Sequence, residues 1–216
     1  LGVSGLKTSP KQKKDKHKST KNMKIKVCGM KYKENIEQVA DLKPDYMGFI
    51  FYTPSKRFVM EDFQLPALPP EIKKVGVFVN ADADDIIDKI NLHNLDCIQL
   101  HGSEPPYFCR QMQRITCIIK AFGIDEHFDF QLLEAYKDTC NYFLFDTKTS
   151  EHGGSGQQFN WQLLKNYQYD VPYFLSGGLD ISIVKEIKEL ADKAPLLHGI
   201  DVNSKFEISP GVKDMD

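Results

Sequence analysis

The chain has 216 residues, of which 41% are hydrophobic and 27% are charged, and it carries a formal net charge of -2. This length and composition are typical of a single globular domain as large as an α/β barrel, and the small charge gives no overall attraction to nucleic acid or to an acidic membrane. No apolar run approaches the roughly 18 residues of a membrane span, so the sequence predicts neither a membrane protein nor a nucleic-acid-binding protein.

The first 22 residues differ from the rest of the chain. Segment 1–22 is polar, rich in lysine and almost free of large apolar side chains, so it cannot bury enough surface to fold alone. It also lacks the apolar stretch of a secretory signal. We interpret it as a disordered basic extension or a tag remnant in preference to a nucleic-acid-binding arm, and we expect a single folded domain over 23–216.

From Met23 onward, short apolar runs alternate with amphipathic segments. The apolar runs predict eight β-strands over residues 24–29, 45–52, 73–79, 95–102, 117–124, 142–148, 172–178 and 196–202. The amphipathic segments predict helices over residues 34–42, 82–93, 104–112, 127–136, 160–167 and 180–193. Such alternation is typical of right-handed βαβ units that build a parallel sheet.

Eight units favour an α/β fold of the (β/α)8 TIM-barrel type, and an open doubly wound sheet is the alternative. Several predicted strands end in glycine or in a polar residue, and barrel enzymes hold their catalytic groups at the carboxyl ends of the strands. The sequence reaches Asp216 soon after the eighth strand. We therefore expect the C-terminal helix to be truncated, which would expose the flank between the first and last strands.

The first predicted strand ends at a cysteine. Side chains alternate across a strand, so Lys26 and Cys28 share one face, and a neighbouring ammonium group favours the thiolate. Cys28 is therefore a candidate base or nucleophile, although a lone cysteine is more often a small buried residue. The five cysteines are odd in number and lack a CxxC pair, which argues against disulfides or zinc and favours a reducing cytoplasm.

Asp146 ends the apolar run of the sixth strand. Burial at the rim of an apolar barrel would favour its protonated form, which suits a general acid at neutral pH. The alternative is a local cap, because an aspartate in a turn commonly accepts hydrogen bonds from nearby backbone N–H groups.

Two glycine-rich segments predict a phosphate site. They are GGSG at 153–156 and SGG at 176–178, and the second precedes a predicted helix that begins near Asp180. Helix N-termini and glycine turns bind phosphate, and barrels often do so after strands seven and eight. Flexible turns use the same residues, so each segment alone is weak evidence.

Further polar residues lie at predicted strand ends. Gln99 and His101 share one face of the fourth strand, and Arg57 follows the second strand, where it could bind a substrate carboxylate through two hydrogen bonds. The alternatives are a surface charge for Arg57 and a structural strand-end role for His101. The six histidines are dispersed, and HExxH, GxGxxG and P-loop patterns are absent, so the sequence favours acid–base chemistry without a metal or a cofactor.

Taken together, these segments resemble the phosphoribosylanthranilate isomerases, which are barrel enzymes of tryptophan biosynthesis. The resemblance covers most of residues 23–214 and is carried, in order, by KVCGM, ENIEQVADLKPDYMGFIFY, SKRFV, IQLHG, FDTK, GGSGQQFNW, LSGGL, GIDVNS and SPGVKD. It implies the Amadori rearrangement of N-(5′-phosphoribosyl)anthranilate to 1-(2-carboxyphenylamino)-1-deoxyribulose 5-phosphate. In that reaction Cys28 would be the general base at C2′, and Asp146 would be the general acid at the furanose ring oxygen.

The resemblance also implies a set of binding residues. Arg57 would meet the anthranilate carboxylate, and the phosphate would meet the backbone around Gly154, Gly177, Gly178, Asn203 and Ser204. We assign Lys26, Gln99, His101 and Asp201 to the same substrate site. The expected partner is thus a small phosphorylated substrate bound by a cytoplasmic monomer or homodimer, with no cofactor, metal, nucleic acid or membrane.

Two other interpretations are weaker. A related barrel isomerase of histidine biosynthesis performs the same rearrangement with a pair of carboxylates, and Cys28 argues against it. A catalytically silent barrel that only binds a phosphorylated ligand would keep the glycine-rich segments but would need neither Cys28 nor Asp146.

Overall fold

The computed structural model describes residues 23–148 and 160–216 of the chain. Eight parallel strands form a closed barrel in which each strand pairs with the next and the last pairs with the first. They are β1 (Lys24–Val27), β2 (Tyr46–Ile50), β3 (Lys73–Phe78), β4 (Cys97–Leu100), β5 (Cys117–Ile124), β6 (Tyr142–Thr147), β7 (Tyr173–Leu175) and β8 (Leu197–Val202). The predicted TIM barrel is therefore confirmed, and the open sheet is wrong. The predicted extension 1–22 lies outside the described residues.

Four α-helices surround the barrel in the described part of the chain. They are α1 (Lys33–Asp41), α2 (Ala83–His93), α3 (Pro106–Gln113) and α4 (Val184–Lys193). A short 3-10 turn over Ile181–Ile183 leads into α4. The segment 51–72 between β2 and β3 contains no helix, and it carries prolines at 54, 66, 69 and 70. Proline removes a backbone donor and restricts the preceding residue, so this segment cannot form a regular helical ladder.

The prediction of helices over 127–136 and 160–167 is right about their positions but wrong about the kind of helix. The structure has 3-10 helices there, over Phe130–Ala135 and Trp161–Asn166. Asp129 and Asn160 each accept a hydrogen bond from the backbone N–H two residues further on, at 2.9 and 3.0 Å. Each side chain thus caps the first turn of its 3-10 helix.

A hairpin follows β8. After a 3-10 turn over Ser204–Phe206, strands β9 (Glu207–Ser209) and β10 (Val212–Lys213) pair in antiparallel fashion. The hairpin is fastened to α1 because Asn35 accepts a hydrogen bond from the Lys213 N–H at 2.7 Å and donates one to the Lys213 carbonyl at 3.0 Å. No α-helix follows β8 within the described residues.

The barrel interior changes from apolar to polar along the strands. An apolar cluster fills one level, and its buried members are Tyr46, Val75, Cys97, Ile119, Ala121, Leu144 and Phe174. Two residues further along β4 and β6 come Gln99 and Asp146, both buried. Because side chains alternate across a strand, these polar groups point into the same interior space toward the carboxyl ends of the strands.

A buried ion pair supports the loops at that end from outside the barrel. Lys120 alternates with interior residues on β5, and its Nζ lies 3.1 Å from Oε2 of Glu104. Lys120 also donates to the carbonyl of Gly102 at 2.8 Å, while Glu104 accepts from the N–H of Asn80 at 2.9 Å. The pair therefore ties together the loops that follow β3 and β4.

Candidate active site

The register between β1 and β8 places a lysine beside an aspartate inside the barrel. Lys26 is the pairing partner of Asp201, and its Nζ lies 2.9 Å from Oδ1 of that residue. The two side chains are 0% and 6% exposed. Cys28, two residues after Lys26 and also buried, interacts electrostatically with both. The structure thus brings together three of the residues that the sequence assigned to the site.

Burial and neighbouring charges act on the protonation of Cys28. Burial raises the pKa of the Cys28 thiol, and although Lys26 lowers it, Asp201 raises it further, so that the net direction is upward. The ammonium of Lys26 thus favours the thiolate, but it does not prevail over burial and Asp201. Burial lowers the pKa of Lys26, but Asp201 and Cys28 outweigh this effect and raise it, so Lys26 stays an ammonium.

One ammonium group lies between two acids in this arrangement. Burial raises the pKa of both acids, and cysteine starts from the higher ordinary value, about 8.5 against about 3.9 for aspartate, so Asp201 is the acid that ionises first beside Lys26. Cys28 consequently rests as a thiol. Its proton must leave before the sulfur can act as a base.

A glycine on β2 makes room for this group. A Cβ atom placed on Gly48 would lie 2.7 Å from Sγ of Cys28 and 3.2 Å from Nζ of Lys26. Real Cβ contacts are not this short, so any larger residue at 48 would displace the thiol.

Asp146 is positioned by its own backbone and by His101. Its Oδ1 accepts a hydrogen bond from the Thr147 N–H at 2.9 Å, and its Oδ2 lies 3.5 Å from Nε2 of His101. On the other side of the ring, Nδ1 of His101 lies 3.0 Å from Nε2 of Gln99. An amide NH2 only donates, so in this orientation Nδ1 accepts and the proton of a neutral His101 sits on Nε2, facing Asp146.

The backbone after β7 approaches Asp146 closely. Gly177 and Gly178 have φ values of +91° and +61°, which other residues rarely adopt. A Cβ on Gly177 would collide with Oγ1 of Thr147 and would lie 3.1 Å from Oδ1 of Asp146. The predicted glycine turn is therefore next to the predicted acid. Gly154, the other glycine assigned to phosphate, lies outside the described residues.

Asn203 and Ser204 follow β8 at the same end of the barrel. Asn203 Oδ1 would lie 2.6 Å from a Cβ on Gly29, the residue after Cys28, and it accepts a hydrogen bond from Nζ of Lys213 at 2.8 Å. Ser204 begins the 3-10 turn that leads into the hairpin. The segments after β7 and β8 thus flank the group formed by Lys26, Cys28 and Asp201.

Arg57 lies beside the same rim and is not a solvated surface charge. Its Cδ would be 2.7 Å from a Cβ on Gly29, so it is adjacent to the end of β1. Its Nε and Nη2 donate to the carboxylate of Glu207, at 2.9 and 2.7 Å to Oε2. Lys213 donates to Oε1 of the same carboxylate at 2.7 Å.

Glu207 and Lys213 are the residues of this site that sequence reasoning missed. They lie within or beside the SPGVKD segment, which was quoted only for its resemblance to a family. The signal that could have found them is charge, since a glutamate and a lysine in a short terminal segment after the eighth strand fall at the end of the barrel where ligands bind.

The described residues contain no group of three or more histidine, cysteine, aspartate or glutamate side chains that could hold a metal ion. Within the same ranges, no helix is both long enough and apolar enough to cross a membrane.

Comparisons with known proteins agree on one family. Residues 25–216 match the family model described as N-(5'phosphoribosyl)anthranilate (PRA) isomerase. A protein of Parabacteroides distasonis named N-(5'-phosphoribosyl)anthranilate isomerase is 43% identical over 201 residues, and the alignment covers 90% of this chain and 89% of that protein.

Two solved structures are also similar. The crystal structure of phosphoribosyl anthranilate isomerase from Thermotoga maritima has a TM-score of 0.75 and 32% identity, and the match covers 89% of this chain and 93% of the other. A phosphoribosyl anthranilate isomerase in complex with reduced 1-(o-carboxyphenylamino)-1-deoxyribulose 5-phosphate has a TM-score of 0.72 and 29% identity, with the same coverage of each chain.

Proposed function

Because the chain belongs to the N-(5'-phosphoribosyl)anthranilate isomerase family, we propose that Cys28 and Asp146 carry out its reaction as general base and general acid. The chain is an isomerase of tryptophan biosynthesis. The reaction converts N-(5′-phosphoribosyl)anthranilate to 1-(2-carboxyphenylamino)-1-deoxyribulose 5-phosphate. It moves protons and breaks the ring C–O bond, and its sum involves neither oxidant nor leaving group.

The proton transfers divide between the two residues. Asp146 gives its proton to the furanose ring oxygen while the anthranilate nitrogen pushes its electron pair toward C1′, so the ring opens to a protonated Schiff base. Cys28 first passes its resting proton to Asp201, and the thiolate so formed removes the proton from C2′, whose C–H electron pair forms an enolamine. The enolamine loses its hydroxyl proton and gains one at C1′, which yields the ketone.

One observation carries the assignment. Asp201 interacts with Cys28 on one side, where it raises the pKa of the thiol, and with Asp146 on the other, where the second carboxylate adds to the effect of burial in raising the pKa of Asp201. The candidate base Cys28 and the candidate acid Asp146 therefore both face the same space inside the barrel. A substrate between them would present C2′ to one and the ring oxygen to the other.

Asp201 is also placed to return Cys28 and Asp146 to their starting protonation states after each reaction cycle. One reaction cycle leaves Cys28 a thiol again, Asp201 with the proton that Cys28 first gave up, and Asp146 without its own, so a proton has to pass from Asp201 to Asp146. Asp201 interacts with Cys28, Asp146 and His101. We assign it to substrate binding together with Lys26, and its carboxylate is also suited to carry this proton.

The binding residues follow from the same geometry. Arg57 is held beside the end of β1 by Glu207, where its guanidinium would meet the aryl carboxylate of the substrate. Backbone N–H groups around Gly177, Gly178, Asn203 and Ser204 would meet the phosphate at the far end of the ligand. Gln99 and His101 support the acid from β4.

The test is turnover of phosphoribosylanthranilate, generated in place because it is labile and followed by the loss of its fluorescence. Cys28→Ala and Asp146→Ala should each lower the rate by roughly 10²- to 10⁴-fold, because each removes a proton-transfer group. Asp138→Ala is the matched control, since Asp138 is exposed and precedes β6 at the opposite end of the barrel.

The silent-barrel interpretation and a different choice of catalytic residues each predict another result. A folded wild-type protein that binds phosphate without turning over the substrate would be a silent barrel. Near-normal rates in Cys28→Ala or Asp146→Ala would remove that residue from its assigned role while leaving the reaction in place.

A further inference from the structure

The carboxylate of Glu207 lies between two cations in the hairpin that follows β8. Arg57 approaches it with Nε and Nη2, and Lys213 approaches it with Nζ at 2.7 Å. The Arg57 side chain is 13% exposed, whereas those of Glu207 and Lys213 are 3% and 2% exposed. The cluster is thus largely shielded from solvent, and Arg57 is its most open side.

These three side chains do not balance in charge. Arg57 and Lys213 contribute two positive charges and Glu207 contributes one negative charge, so the cluster carries one surplus positive charge. Asn203, which accepts a hydrogen bond from Lys213 through Oδ1, is neutral. A buried surplus charge is costly unless a counterion arrives, so the cluster favours an anion at its open side.

The two cations are not equivalent in their bonding. Nζ of Lys213 is directed at Oε1 of Glu207 and at the side chain of Asn203, and the Lys213 backbone is fixed to Asn35. Arg57 gives Glu207 its Nε and Nη2, so the opposite edge of the guanidinium is the part of the cluster that can turn to a ligand.

We propose that Lys213 is a specificity-determining positioning residue: it neutralises Glu207, so that Arg57, which Glu207 holds in place, keeps its positive charge for the aryl carboxylate of the substrate. This inference rests on the proposed function, because it takes Arg57 to meet that carboxylate. Without Lys213, the carboxylate of Glu207 would by itself cancel the charge of Arg57, and the site would lose its preference for an anionic aryl group.

The experiment measures that preference directly. The first ligand is reduced 1-(o-carboxyphenylamino)-1-deoxyribulose 5-phosphate, and the second is the same molecule without the carboxyl group. The ratio of their dissociation constants, measured by calorimetry, reports what the carboxylate contributes. General damage to the site weakens both ligands and leaves the ratio unchanged, so the ratio separates a specific role from a structural one.

Three variants test the charge argument. Lys213→Met should reduce the preference for the carboxylate ligand by roughly tenfold, because it removes the surplus charge. The double variant Glu207→Gln with Lys213→Met returns the surplus to one positive charge and should recover most of the preference. Lys213→Gln removes the same charge while keeping a donor for Glu207, so it gives the same test if the methionine variant does not fold.

Lys137→Met is the matched control. Lys137 forms an exposed ion pair with Glu134 at 2.5 Å before β6, so its loss should leave the ratio as in the wild type. A ratio that is unchanged in both Lys213→Met and Lys213→Gln, or a double variant no better than the single one, would overturn the inference. A wild type that binds both ligands equally would overturn it together with the role of Arg57, and a wild type that binds neither would overturn the proposed function.

Discussion

The ammonium group of Lys26 lies 2.9 Å from the carboxylate of Asp201, although the two residues are 175 positions apart in the chain. Cys28 interacts with both, and Asp201 is one of the causes that raise the pKa of its thiol. We therefore expect Asp201→Asn to lower the pKa of Cys28, because it removes a competing negative charge and leaves Lys26 to stabilise the thiolate. The pKa can be followed by the ultraviolet absorbance of the thiolate, with the Cys28→Ser variant subtracted.

Asp45→Asn is the control for this measurement. Asp45 forms an ion pair at 2.6 Å with Lys24, on the same strand as Lys26 but nearer its start. An unchanged Cys28 titration in Asp45→Asn with a lowered one in Asp201→Asn is the expected pair of results. A Cys28 pKa that rises or stays constant in Asp201→Asn would contradict the competition between the two acids.

Gly48→Ala should disturb the thiol. The added Cβ would lie 2.7 Å from Sγ of Cys28, so we expect a loss of about 1–3 kcal/mol in the free energy of unfolding and a lower kcat. Urea titration measures the first and the fluorescence assay the second. The loss of stability should be smaller when Gly48→Ala is made in a Cys28→Ala background, since the clashing sulfur is then absent; equal losses in both backgrounds would place the strain elsewhere.

The stability contributed by Glu207 should depend on pH. Burial by itself raises the pKa of Glu207, but hydrogen bonds and charges from Arg57 and Lys213 outweigh it and hold the pKa below its usual range. The folded state therefore releases this proton more readily than the unfolded state, whose glutamates have a pKa of about 4.3. The contribution is fully present above that value and is lost as the pH falls through the lower, folded pKa.

This dependence can be measured as a difference between two proteins. The free energy of unfolding of Glu207→Gln should fall below that of the wild type at neutral pH, and the gap should close in acid, where the wild-type side chain is also neutral. A gap that is constant with pH would show that the carboxylate contributes through its shape alone.

Glu104→Ala should destabilise the barrel more than the loss of an exposed glutamate. It would leave Lys120 buried without its ion pair and the Asn80 N–H without its acceptor, so we expect a loss of roughly 3–5 kcal/mol in the free energy of unfolding. Glu37→Ala is the control because its pair with Lys33 is exposed and 3.9 Å long, and such pairs contribute about 0–1 kcal/mol. Similar losses in the two variants by urea titration would contradict this account.

The sequence predicted the barrel because its signals are local. Apolar runs such as YFLF at 142–145 and their alternation with amphipathic segments identify strands and helices without any knowledge of the fold. The same signals did not give the type of two helices, which are 3-10 helices over Phe130–Ala135 and Trp161–Asn166. A capping residue such as Asp129 or Asn160 can begin either kind of helix, so the local pattern does not distinguish them.

By itself, the sequence determined the eight strands, the alternating faces that put Lys26 and Cys28 together, and the polar residues at the strand ends. Only the tertiary structure decided that Asp201 competes with Cys28 for the charge of Lys26, and that Glu207 holds Arg57 across 150 positions of the chain. The physical reason is that strand patterns depend on neighbours a few residues apart, whereas the protonation of a buried group depends on every charge that closure of the barrel brings near it.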